Sequence, residues 1–127
     1  MKNRTKYLID TNVLIDAQMK RIPQNGLTFL SKTIDEDFTI SFITYIEYLG
    51  YKNISAESEM FIQLAKVVMA NKEVIDTCIK LRKTQSIKLP DSIIAATAIV
   101  NEFTLISNNE SDFIKIKGLN LLNLFNL

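Results

Sequence analysis

Four short apolar runs constrain this chain most: "KYLI" (Lys6–Ile9), "FTISFI" (Phe38–Ile43), a stretch near Val67–Met69, and "TLIS" (Thr104–Ser107). Segments of helical length separate them. Strands that alternate with helices predict a parallel sheet covered by helices on both faces. In such sheets ligands bind outside the carboxyl ends of the strands. The polar residues that directly follow the strands are therefore the ones to weigh.

The intervening segments carry start signals. Asp10–Asn12 can cap a helix through "VLIDAQM", Gly26 precedes a second in "LTFLSKTI", and Thr44 is placed as the cap of "TYIEYLGY". Ser55 or Ser58 opens a helix through "EMFIQLAKVV". Asn71 caps another, in which Val74, Ile75, Cys78 and Ile79 fall on one face. Pro90 suits the first turn of "DSIIAATAIVNEF", "NNESDF" reads as a loop, and "LNLLNL" is a final apolar run.

At 127 residues, 47% hydrophobic and 23% charged, the sequence predicts one globular domain over 1–127 without internal repeat or linker. No apolar run approaches the ~20 residues that span a bilayer. The single Cys78 has no partner for an internal disulfide, so a soluble, cytoplasmic protein is expected.

The chain contains no histidine. Serine–histidine, cysteine–histidine and histidine-pair ribonuclease chemistry are excluded, as is any imidazole zinc site. An enzyme of this composition must work with carboxylates, Lys, Tyr, Ser or Cys. Its three glycines, Gly26, Gly50 and Gly118, are scattered, which rules out the dinucleotide fingerprint and the GxxxxGK loop.

Four acids stand where a site is expected. Asp10 ends the first strand, Glu47 lies at the edge of an apolar face in "ITYIEYLGY", Asp91 opens the helix after Pro90, and Asp112 follows the last strand of the four. Each has an ordinary explanation: Asp10 as a helix cap, Glu47 as a surface residue, Asp91 as an acid favoured by the helix dipole, Asp112 as a loop acid. Together they would crowd at one sheet edge, repel and raise one another's pKa unless a cation neutralised them. Hard oxygen donors select Mg²⁺ or Mn²⁺ over zinc, and such an ion suits phosphodiester hydrolysis.

The formal net charge is +1, from 15 basic and 14 acidic residues. Setting four acids aside in a metal site leaves 15 against 10, or +5 for the remaining surface. Lys80, Arg82, Lys83 and Lys88 precede Asp91, as a solvated helix face or as a contact for an RNA backbone.

These residues resemble a known pattern. "YLIDTNVLID", "ITYIEYLGY", "KLPDSIIAATA" and "LISNNESDF" occur in the order seen in PIN-domain ribonucleases, and the chain is similar to the VapC-type toxins of toxin–antitoxin systems. The resemblance spans Leu8 to Phe113 by motif. It implies a three-layer α/β/α PIN-like fold with a central, mainly parallel sheet. It implies a Mg²⁺- or Mn²⁺-dependent endoribonuclease acting on structured RNA, with Asp10, Glu47, Asp91 and Asp112 as catalytic metal ligands. Thr11, Asn12 and Ser107 would orient those carboxylates. A cognate antitoxin and a homodimer are the implied partners. One departure stands out: many relatives carry an Asp where this chain has Asn109.

Two rivals belong to other classes. A phospho-accepting receiver domain needs an acid pair after the first strand and a late Lys, but Asp10 is followed by Thr11 and "TLISNN" has no Lys. A PIN fold that binds RNA or protein without catalysis would keep the architecture alone.

Overall fold

The structure is a computed structural model that describes residues 4–127. The described residues form five three-residue strands, β1 (Tyr7–Ile9), β2 (Thr39–Ser41), β3 (Lys66–Val68), β4 (Thr104–Ile106) and β5 (Asn120–Leu122), and every pairing among them is parallel. They form two ladders, β1-β4-β5 and β2-β3. Strand β1 lies beside β2, so the two ladders continue one another. Backbone bonds extend both: Thr104 N–H donates to Lys6 O and Lys66 N–H to Phe38 O, each at 2.7 Å.

The helices are α1 (Thr11–Gln18), α2 (Gln24–Asp37), α3 (Phe42–Leu49), α4 (Ala56–Ile62), α5 (Lys72–Thr84), α6 (Leu89–Val100) and α7 (Glu110–Phe113). A 3₁₀ turn over Leu124–Asn126 follows β5. Because side chains alternate along a strand, Leu8 and Leu105 join a core with α5 and α6, while Ile9 and Ile106 join a second with α1 and α2. Helices thus cover both faces of a mixed α/β, three-layer fold. None of the described helices is long and apolar enough to cross a membrane.

Several boundaries differ from the sequence reading. "FTISFI" stops being strand at Ser41, whose hydroxyl accepts from Ile43 N–H at 3.2 Å and caps α3. Thr44 is therefore inside the helix, not its cap. Ser55 opens α4, which ends at Ile62 rather than running through "QLAKVV". The "NNESDF" loop contains α7, and the final apolar run holds β5. Asn71 does cap α5, accepting from Val74 N–H at 2.9 Å. The buried face of α5 is Val74, Cys78 and Leu81, whereas Ile75 and Ile79 are about half exposed. Helix α6 begins at Leu89, with Pro90 and Asp91 both in its first turn.

Gly26 is required by packing. In α2, Gly26 lets the helix close on the 3₁₀ turn: an added Cβ would lie 2.9 Å from Leu124 Cβ and against the Leu124 carbonyl.

Candidate active site

Two neighbouring strand ends build the centre of the site. Asp10 N–H donates to Ile106 O at 3.0 Å, carrying the β1–β4 ladder one step past β1, and Ser107 N–H donates to Leu122 O at 3.0 Å beyond β4. Parallel register thus sets Asp10 beside Ser107. The Ser107 hydroxyl donates to Asp10 Oδ2 at 2.8 Å, and Thr11 N–H donates to Oδ1 at 2.8 Å as the cap of α1.

Asp10 is 3% exposed and its carboxyl pKa is pushed up from 3.8 to about 6. Burial is the main cause, and the fields of Asp91 and Glu47 add to it; the bonds from Ser107 and Thr11 oppose it. Asp91 is half-buried at the start of α6, and its pKa is also raised. Here burial leads, followed by repulsion from Asp112 and Glu47, with Lys88 pulling the other way.

Glu47 projects from α3 and is exposed, but its Oε1 accepts from the Thr11 hydroxyl at 2.7 Å. Thr11 Oγ1 also lies 2.9 Å from Oγ1 of Thr44, which is fully buried one turn before Glu47. On the opposite side Asn109 Nδ2 donates to Asp112 Oδ2 at 2.9 Å, and Asn109 N–H donates to Ser107 Oγ at 3.0 Å. An amide at 109 therefore acts as a donor to the acid three residues on, where a carboxylate would repel it.

Asp10, Thr11, Asn12, Ile15, Glu47, Gly50, Tyr51 and Asp91 line an open cleft of about 430 Å³. Asp112 is tied to this cleft through Asp91, whose ionisation its like charge disfavours. Asn12 is exposed at the cleft wall, apart from the bonds that join Asp10, Thr11, Ser107 and Asn109. Among the described residues no three acidic, His or Cys side chains converge as a ready set of metal ligands. The donor chemistry nonetheless suits a hard cation: the facing groups are carboxylate oxygens, two of them with raised pKa.

The sequence reading placed neither Thr44 nor Tyr51 at the site. Thr44 had a usable signal, since it precedes Glu47 by three helical positions and shares its face. Of the basic residues before Asp91, Arg82 donates from Nη1 to Ile87 O at 2.9 Å, and Lys88 is the one whose charge reaches Asp91.

A family model for the PIN domain matches residues 7–119. No curated protein matches the sequence. Among solved structures, VapBC-1 from nontypeable Haemophilus influenzae is 25% identical, with a TM-score of 0.77 over 94% of this chain and 98% of that one. A toxin–antitoxin complex from Klebsiella pneumoniae is 26% identical, with a TM-score of 0.73 and the same coverage. VapBC2 from Rickettsia felis, bound to a promoter DNA fragment, shares the fold at 22% identity and a TM-score of 0.75, covering 94% of this chain and 98% of that one. With the family model covering most of its length and with these folds superposable on nearly all of it, the chain belongs to the PIN-domain family.

Proposed function

We propose that this protein is a Mg²⁺- or Mn²⁺-dependent endoribonuclease that cleaves structured RNA, and that it is the VapC-type toxin of a toxin–antitoxin pair. The observation that carries the reading is the position of Asp10. It is a buried carboxylate at the carboxyl end of β1, pushed up to about 6 and facing the charges of Asp91 and Glu47. A structural helix cap alone needs no such company of acids.

Asp10, Glu47, Asp91 and Asp112 would hold the cation. When bound, it supplies activation of water and offsets charge on the attacking and leaving oxygens of a phosphodiester. The chain's own residues prepare the site. Ser107 and the Thr11 N–H hold both oxygens of Asp10, the Thr11 hydroxyl orients Glu47, and the Asn109 amide orients Asp112. Asn12, exposed at the cleft wall, is available to an incoming RNA.

A cognate antitoxin as inhibitor, a homodimer and a cytoplasmic setting belong to the same reading. It is supported by the likeness to chains of toxin–antitoxin complexes at 25% and 26% identity.

Incubation of the antitoxin-free protein with total cellular RNA and Mn²⁺ tests the proposal. Discrete cleavage that disappears in Asp10→Asn and Asp91→Asn, with Mn²⁺ binding weakened in both, is the expected result. A parent protein that cuts no RNA under Mg²⁺ or Mn²⁺ overturns it in favour of a non-catalytic binding module.

A further inference from the structure

Helix α1 touches the segment after β4 at two points. Its cap, Asp10, meets Ser107; nearly two turns later Asp16 Oδ2 accepts from Asn108 Nδ2 at 2.6 Å, a short charge-assisted bond. Two consecutive residues of the β4–α7 segment are thereby strapped to two places on one helix.

Asp16 is itself held. Lys20 adopts a left-handed φ of 58°, the chain folds back so that Arg21 N–H donates to Asp16 O at 2.8 Å, and the Arg21 guanidinium lies 3.5 Å from Asp16 Oδ1. The Asn108 side chain accepts a cost to stay in place, because its Oδ1 is buried without a hydrogen-bond partner among the described residues. Reversing the amide would point its oxygen at the Asp16 carboxylate. The bond to Asp16 therefore decides how Asn108 sits.

The segment depends on such ties. Helix α7 has four residues, too few to hold itself, and Asn109 before it has an irregular conformation, φ −87° and ψ 66°. Phe113, 1% exposed, anchors its far end in the core; Asn108 anchors the near end. Asp112 lies between the two anchors, and Asn109, bonded to both Ser107 and Asp112, transmits the near one.

We infer that Asp16 is a positioning residue of the site: through Asn108 it fixes the β4–α7 segment and so the place of Asp112 beside Asp91. The role in catalysis rests on the proposed nuclease reading, but the strap itself does not.

A charge-swap series separates them, read by hydrogen exchange, Mn²⁺ titration and the pH profile of RNA cleavage. Asn108→Asp sets two carboxylates against each other. It is expected to speed exchange of the Asn109–Phe113 amides at least tenfold, weaken Mn²⁺ binding severalfold and shift the pH profile. The double variant Asp16→Asn with Asn108→Asp restores the bond with its polarity reversed, and is expected to bring exchange and Mn²⁺ affinity back. If Asn108→Asp fails to fold, Asp16→Ala, which adds no charge, must show the same local loss of protection. Unchanged exchange in the single variant, or no recovery in the swap, overturns the inference. A parent protein that never cleaves RNA removes the nuclease reading and leaves the exchange result to decide the strap.

Discussion

Ser107 and Asp10, 97 positions apart in sequence, meet at 2.8 Å because β1 and β4 are parallel neighbours in register. The hydroxyl donates to the carboxylate and stabilises its charged form, against burial and against the charge of Asp91. Removing the donor and removing the neighbouring charge must act in opposite directions. Ser107→Ala is expected to raise the Asp10 pKa further, and Asp91→Asn to lower it. Carboxyl-carbon NMR titration of the metal-free variants checks both signs; shifts in the same direction would mean that neither contact governs Asp10.

The raised pKa of Asp10 makes stability depend on pH in metal-free buffer. The folded protein keeps a proton on Asp10 that the unfolded chain has released, so this group's contribution is full below pH 3.8 and is lost as pH rises through about 6. The interval from 3.8 to about 6 corresponds to roughly 3 kcal/mol. Asp10→Asn should therefore be more stable than the parent by on the order of 1–3 kcal/mol above pH 7, with the difference fading below pH 4. Urea unfolding of both proteins in EDTA at several pH values measures it.

Thr11→Val removes a hydroxyl that joins buried Thr44 to Glu47. Thr44 Oγ1 then keeps no comparable side-chain partner among the described residues, so a loss of about 1–3 kcal/mol is expected in chemical denaturation. If Thr11→Ser regains most of that loss, the hydroxyl rather than the methyl group is responsible.

Gly26→Ala tests the far edge of the fold. Its methyl group would meet the backbone and Cβ of Leu124, neither of which can swing aside like the end of a long side chain. Overpacking of this kind costs typically about 1–3 kcal/mol. Thermal unfolding should shift down while the Asp10 titration stays where it was; an unchanged melting temperature would mean that the Leu124–Asn126 turn moves freely away.

Sequence alone determined the alternating architecture and three of the acids, Asp10, Glu47 and Asp91, that end up around the cleft. Runs such as "KYLI" and "TLIS" report burial on both faces, and an acid after a strand has few places to go but the sheet edge. Local chemistry also made the Asn71 cap legible, because capping needs only neighbours a turn away. It misplaced the start of α3, where Ser41 and Thr44 are both able to cap and only the end of β2 chooses between them. It left β5 unassigned, since "LNLLNL" becomes a strand by pairing with β4. What only the tertiary structure decided was which groups meet: Ser107 with Asp10, Thr11 with Glu47, Asn108 with Asp16, and Asn109 as donor to Asp112. Three of these pairs join residues 36 to 97 positions apart. Their geometry depends on strand register and on helix packing against a common core, and neither is written in any single stretch of the chain.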